Sequence, residues 1–174
     1  MSTAARKAAR ACDEQVVERQ LGRAPRGTWR VAVRCAYGFP QAIETRPTLD
    51  TGEPFPTLYY LTCPYLALAA SRAESDGALS TFDEAARSDP DRAARLREAH
   101  AEVGRRRAAA AGGEDPCAGT GVAGQADPLA TKCLHARVAA ALAGVPDPVG
   151  QEILEQAGVR CEDERCSRRD EDGA

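Results

Sequence analysis

Cysteine and histidine are the side chains in this sequence that are best suited to chemistry. The 174 residues include seven cysteines and two histidines. A thiolate can serve as a nucleophile or as a metal ligand, and an imidazole commonly assists it in either role. The N-terminus has basic residues but lacks the apolar stretch that a secretory leader carries, which predicts a cytoplasmic protein. In that reducing compartment, free thiols or metal ligands are expected rather than disulfides.

One local pattern, Lys132-Cys-Leu-His135, places a thiol and an imidazole two residues apart. Both can reach one metal ion if the backbone is extended there or is just entering a helix. In the middle of a helix they would point about 200° apart. Pro128 predicts an earlier helix start, whereas a shared ion requires the helix to begin near Leu134. If only one of the two side chains points inward, His135 is instead a hydrogen-bonded core residue.

Cys63 and Cys35 are the other candidates with a defined structural context. Cys63 precedes Pro64 at a predicted helix N-terminus, where backbone N–H groups and the helix dipole predict a lowered thiol pKa. A small buried residue at a strand-to-helix junction is an equal alternative. Cys35 ends a predicted strand on its apolar face, where simple packing is favoured. With Cys133 and His135 these cysteines form a candidate ligand set for zinc or an iron–sulfur centre, with a structural or redox-sensing role. No compact C-x2-C pair occurs among them.

A second interpretation is an enzyme with a thiolate nucleophile. Cys63 or Cys133 would attack, and His135 would act as the base. A small anionic substrate would be bound by cationic side chains, and the candidates are Lys132, Arg34 and Arg26. Lys132 stands out because 21 of the 23 basic residues are arginine, although a solvated helix residue is the simpler interpretation.

The pattern of apolar, polar and turn-forming residues predicts an α+β fold. It has a small antiparallel sheet of about three strands within residues 28–62. Polar and apolar residues alternate over 28–35, and seven of the eight aromatic residues lie between 29 and 65, which favours strands there. Capping residues, prolines and glycines predict helices that pack on this sheet. These predicted helices cover residues 13–22, 64–77, 79–87, 91–107, 128–144 and 149–156.

Composition also predicts the domain organisation. The parts are an N-terminal extension over 1–20, a single domain over 21–157 with a flexible Gly/Ala-rich loop at 108–127, and a disordered, charged tail over 158–174. Cys161 and Cys166 lie in that tail and could chelate or oxidise, but a disordered tail is the simpler interpretation.

Charge and hydropathy exclude several classes of function. The net charge of -3 and the pI near 5.5 argue against a nucleic-acid-binding protein. The longest apolar stretches, such as residues 66–70, are too short to span a membrane. The sequence contains neither a P-loop nor a dinucleotide fingerprint after a predicted strand.

Several blocks of residues resemble one family when they are taken together. They lie at residues 22–27, 34–40, 52–64, 71–74, 132–135 and 147–150, and Pro54-Phe-Pro-Thr57 and Lys132-Cys-Leu-His135 are the most specific. The chain is similar over residues 21–154 to an uncharacterised bacterial family, domain of unknown function 501, found mostly in high-GC Gram-positive bacteria. It departs from the family pattern in a longer Gly/Ala-rich insertion before Lys132 and in Asp147, where asparagine is usual.

The resemblance implies a cytoplasmic single-domain protein and supplies no established activity. Because its blocks contain Cys35, Cys63, Lys132, Cys133 and His135, it raises these residues as a group. Genes of the family often lie near those for a septum-formation initiator, enolase and an exopolyphosphatase. That neighbourhood implies a third interpretation, an interaction module with a partner in cell division or envelope growth.

Overall fold

The computed structural model describes residues 13–166 and has an α+β fold. Its strands are β1 (Trp29–Arg34), β2 (Pro40–Thr45) and β3 (Tyr59–Leu61). Its helices are α1 (13–21), α2 (Pro64–Ser75), α3 (Ala78–Ser88), α4 (Pro90–Ala111), α5 (Leu134–Leu142) and α6 (Pro148–Ala157), and a 3-10 turn covers Val122–Gly124. The predicted fold class is therefore confirmed.

The three strands form one antiparallel sheet in the order β1-β2-β3. Ile43 of the central strand pairs with Val31 on one side and Tyr60 on the other. Strand β2 is buried along most of its length, because it is covered by helices and flanked by both neighbours. The predicted three-stranded sheet within residues 28–62 is confirmed.

Helix α5 lies at the centre of the fold, packed against β3, α2 and α6. Leu134 and Val138 on this helix have no exposed surface. Helices α5 and α6 approach closely at Gly150, where a Cβ atom would overlap the carbonyl oxygen of Arg137. The buried ion pair between Arg137 and Asp147, 2.8 Å long, joins the same two helices. This packing holds the first turn of α5 in a fixed position beside α2.

The prediction of a helix from Pro128 is wrong, because α5 begins at Leu134. The guanidinium of Arg137 donates to the carbonyl oxygens of Ala130 (2.9 Å) and Pro128 (3.5 Å). These contacts hold the segment before α5 in a conformation outside any helix. Cys133 itself is extended, with φ -156° and ψ 120°.

Helix α4 extends to Ala111, into the segment predicted to be a loop. Arg107, a fully buried residue of α4, holds the segment that follows the helix. Its side chain donates to Asp115 (2.6 Å) and to the carbonyl oxygen of Cys117 (3.0 Å). Val122 then returns to the core. Neither α4, with 22 residues, nor any other helix within residues 13–166 is long and apolar enough to cross a membrane.

Residues 159–166 of the predicted tail lie against the end of the sheet. The hydroxyl of Tyr37 donates to the carbonyl oxygen of Cys161 (2.9 Å), and the Gln41 amide donates to that of Val159 (2.8 Å). The rest of the predicted tail, residues 167–174, lies outside the described residues. The same holds for residues 1–12, which include Cys12.

Candidate metal centre

Glu74, Cys133 and His135 come together where the end of α2 meets the start of α5. One ligand atom from each lies within 4.8 Å of the other two. The imidazole Nδ1 atom of His135 is 3.3 Å from a carboxylate oxygen of Glu74 and 3.8 Å from the Cys133 Sγ atom. All three side chains are partly exposed. A carboxylate oxygen, a thiolate and an imidazole are the three ligand types that zinc accepts in proteins.

The late start of α5 creates this arrangement. Cys133 is the N-cap residue and extended, so its side chain and that of His135 are not turned about 200° apart as they would be in the middle of a helix. Glu74 Oε1 accepts the backbone N–H of Leu134 at 2.7 Å. A carboxylate there satisfies a free N–H group and stabilises the positive end of the helix dipole. Glu74 is therefore both a helix cap and a member of the candidate site.

The other nitrogen of His135 is also held. Its Nε2 atom lies 3.1 Å from the hydroxyl of Ser71. Ser71 and Glu74 are three residues apart on α2, so both project from the same side of that helix. This contact fixes the plane of the imidazole and turns Nδ1 toward Glu74 and Cys133, as the outer hydrogen bonds of metal-bound histidines do.

The pKa values of Cys133 and His135 shift in opposite directions. Burial disfavours the Cys133 thiolate, but the hydrogen bond with His135 and the backbone N–H of Ala136 outweigh it and lower the pKa. The hydrogen bond with Cys133 raises the pKa of His135 against the effect of burial, and the charge of Glu74 adds to the rise. The pair therefore favours a thiolate beside an imidazolium when no ion is bound.

The four predicted metal ligands form two pairs with different neighbours. Cys133 and His135 belong to the group with Glu74, whereas Cys35 and Cys63 line a separate small cavity together with residues of the C-terminal segment. Cys63 is the N-cap of α2 as predicted, but the prediction of a lowered pKa is wrong. Burial raises the pKa of the Cys63 thiol, and the backbone N–H groups at the helix start offset only part of that effect.

The predicted anion-binding residues lie in three different places. Lys132 is exposed and adjoins Cys133 in the chain. Arg34 donates to both carboxylate oxygens of Asp13, at 2.9 and 2.7 Å. Arg26 lies over the ring of Phe55, with 5.8 Å between the guanidinium carbon and the ring centroid.

The protein also has a groove of about 700 Å³ between the sheet and the helices, and this groove lies apart from the Glu74 group. Its lining includes two ion-paired arginines, Arg30 and Arg106. Arg30 pairs with Glu44 at 2.7 Å, and Arg106 pairs with Glu102 at 2.6 Å. Glu74, Cys133 and His135 are not among the residues that line it.

Sequence reasoning missed Glu74 and Ser71. The available signal was the block Ser71-Arg-Ala-Glu74, whose first and last residues share one helical face. Nothing in the local sequence connects that face with Cys133, since the two segments are about 60 residues apart and meet only through packing of α2 on α5.

Comparison with known proteins agrees with the resemblance in the sequence. The profile of the family described as "Protein of unknown function (DUF501)" matches residues 31–155. No curated protein and no solved structure matches the chain.

Proposed function

The chain belongs to the DUF501 family, whose function is unknown, and we propose from its own geometry that it binds a zinc ion through Glu74, Cys133 and His135. The observation that carries this proposal is the convergence of three different ligand atoms within 4.8 Å of one another. The ion would take Nδ1 of His135, and Nε2–H would then donate to the Ser71 hydroxyl.

Charge supports a divalent ion at this place. The carboxylate of Glu74 and the thiolate of Cys133 carry two negative charges when His135 is neutral, and these balance the charge of Zn²⁺. Without an ion, the Nδ1 atom faces a carboxylate and a sulfur, which is satisfied only if that nitrogen carries a proton. Zinc replaces this proton and bonds to all three groups at once.

The ligand set favours a single zinc ion over an iron–sulfur centre. Iron–sulfur clusters are held chiefly by several cysteine thiolates, and this group contains a single cysteine, Cys133. Three protein ligands also leave the fourth tetrahedral position of zinc open, as in catalytic sites. A zinc ion at such a position lowers the pKa of a bound water to about 7 and polarises substrate oxygens. Lys132, exposed beside Cys133, would attract an anionic substrate to that position.

Zinc content per chain tests the proposal. Protein purified in reductant without a metal-binding tag is assayed by mass spectrometry for zinc. Cys133→Ser and His135→Ala are each expected to lose one equivalent relative to the unmodified protein. Glu74→Gln keeps an oxygen for the Leu134 N–H but loses the charge, so it is expected to bind zinc more weakly and remain folded.

Cys117→Ser is the matched control, because Cys117 is a free, partly buried thiol in the loop after α4, outside the Glu74 group. It is expected to keep the zinc content of the unmodified protein. Equal zinc in the control and in both the Cys133 and His135 variants would remove the basis of the proposal.

A second candidate function is thiolate catalysis at Cys133. The lowered pKa of Cys133 and the raised pKa of His135 favour it. One feature argues against it, since Cys133 and Glu74 both face Nδ1, whereas a nucleophile and an orienting carboxylate ordinarily use opposite ring nitrogens. Two results together would favour catalysis over metal binding. Cys133 would be selectively alkylated near neutral pH in the zinc-free protein, and Cys133→Ser would keep the zinc content of the unmodified protein. A partner in cell division or envelope growth stays a prediction.

A further inference from the structure

Four cysteines line one small cavity at the opposite end of α2 from Glu74. Cys35 directly follows β1, and Cys63 is the N-cap of α2. Cys161 and Cys166 come from the segment after α6, and all four thiols are free. The four side chains share the lining of a single enclosed cavity. Four of the six cysteines within residues 13–166 are thus gathered from three separate parts of the chain.

Hydrogen bonds from the domain hold the C-terminal segment over this cavity. Tyr37 donates to the carbonyl oxygen of Cys161 at 2.9 Å, and Gln41 donates to that of Val159 at 2.8 Å. The amide of Gln20 donates to the sulfur of Cys166 at 3.3 Å. A donor directed at sulfur stabilises a thiolate more than a thiol, as the outer hydrogen bonds of thiolate metal sites do.

Three arginines surround the cluster. Arg19 Nη2 donates to the carbonyl oxygen of Cys166 at 3.3 Å. Burial raises the pKa of the Cys166 thiol, and the charge of Arg19 offsets part of that rise. Arg160 interacts electrostatically with Cys161, and Arg165 with both Cys161 and Cys63. Four thiolates around one Zn²⁺ leave a charge of two minus, and these guanidinium groups offset part of it. Arg165 also pairs with Asp163 at 3.1 Å, and Glu164 lies in the cavity lining.

The size of the cavity favours a single ion. Its volume is about 10 Å³, enough for one water-sized or ion-sized occupant. Tetrahedral zinc, with bonds of about 2.3 Å to sulfur, places its ligand atoms about 3.8 Å apart. Among the described residues, no three of these four sulfurs lie within 4.8 Å of one another, so zinc binding would draw Cys161 and Cys166 toward Cys35 and Cys63. Residues 158–166 lie outside any helix or strand, and their backbone can accommodate this shift.

We propose that Cys35, Cys63, Cys161 and Cys166 form a structural tetrathiolate zinc site that ties the C-terminal segment to the sheet. Zn²⁺ replaces the four thiol protons, forms four zinc–sulfur bonds and releases those protons to solvent, with no change of oxidation state. The site has no open coordination position, as is typical of structural zinc. It is independent of the Glu74 group, since the two sites share no residue.

Zinc content again provides the test, with variants that separate the two sites. The full chain, purified in reductant without a metal-binding tag, is expected to hold two zinc ions. The double variant Cys161→Ser/Cys166→Ser is expected to hold one, Cys133→Ser also one, and Cys117→Ser two. Both cysteines of the double variant lie after the last helix, so the core is expected to fold, and this is checked by circular dichroism. If the double variant keeps as much zinc as Cys117→Ser, the tetrathiolate site does not exist.

Thiol accessibility in the unmodified protein gives a second test that depends on no variant. Alkylation followed by peptide mass spectrometry is compared before and after zinc is removed by a chelator. Cys161 and Cys166 are expected to become labelled only after chelation, whereas Cys117 is labelled at the same rate in both conditions. Equal labelling of all three before chelation would overturn the proposal. So would a Cys161–Cys166 disulfide in the reduced preparation, because it would use the same sulfurs without a metal.

Discussion

Asp147 offers the sharpest test of how the fold holds the first turn of α5. Its side chain is fully buried, and one carboxylate oxygen caps α6 by accepting the N–H groups of Val149 (3.0 Å) and Gly150 (2.9 Å). The other oxygen accepts from Arg137 at 2.8 Å, and that arginine is also buried. Arg137 in turn holds the carbonyl oxygen of Ala130 at 2.9 Å. A single carboxylate thus supports both helices and the segment that leads to Cys133.

The cost of Asp147→Ala follows from these contacts. Loss of a helix cap costs about 1 kcal/mol. Removing one partner of a buried ion pair costs about 3–5 kcal/mol, because the other charge remains buried and uncompensated. The sum, about 4–6 kcal/mol, is a large part of the 5–15 kcal/mol by which domains are ordinarily stable. Asp147→Asn has one oxygen and can keep either the cap or the Arg137 bond, so we expect a smaller loss of about 3 kcal/mol.

A double-mutant cycle separates the ion pair from the cap. Arg137→Met, Asp147→Asn and the double variant are unfolded in urea, with chelator and reductant present so that metal binding does not contribute. The double variant contains no unpaired buried charge, so it is expected to be more stable than the sum of the single losses predicts, by at least about 1 kcal/mol. Additive losses, or an Asp147→Ala variant destabilised by less than about 1 kcal/mol, would refute the reasoning. Folded Asp147→Asn is also expected to bind zinc more weakly, because Arg137 no longer has a fixed position beside Ala130.

Three further outcomes are expected. Gly150→Ala should destabilise the protein by about 1–3 kcal/mol in the same urea assay, because the added Cβ would overlap the Arg137 carbonyl. Gly104→Ala is the control, because its Cβ would make only an ordinary contact at 3.7 Å. This control should be neutral or stabilising. In zinc-free protein, His135→Ala should slow the alkylation of Cys133 near pH 7, because the hydrogen bond that lowers the Cys133 pKa is lost. An unchanged alkylation rate would show that His135 does not stabilise the Cys133 thiolate. The pKa of His135 in the folded protein is raised above about 6.5. Protonation of His135 therefore stabilises the zinc-free protein below pH 6.5, and this contribution is lost as the pH rises through the raised pKa. Zinc affinity at the Glu74 group is expected to rise over the same pH window. Zinc affinity that is constant across this window, measured by competition with a chelator, would contradict the role of His135 as a ligand.

Much of the fold is encoded in short stretches of the chain. Alternation over residues 28–35 predicts β1, and the prolines at 64 and 148 mark the starts of α2 and α6, because these signals act between near neighbours. Pro128 is the exception. Its local signal for a helix start is overridden by Arg137, a side chain nine residues further on, which binds carbonyl oxygens of the intervening segment.

The spacing of Cys133 and His135 already implies that they can share an ion only if α5 begins late. The folding of distant segments onto one another makes α5 begin late and brings Glu74 to the same place. It also separated Cys35 and Cys63 from Cys133 and His135 and placed them with Cys161 and Cys166. Spacing along a chain fixes which side chains within one element face the same way, whereas convergence between elements depends on how buried surfaces pack. That packing follows from the whole core and cannot be obtained from any single motif.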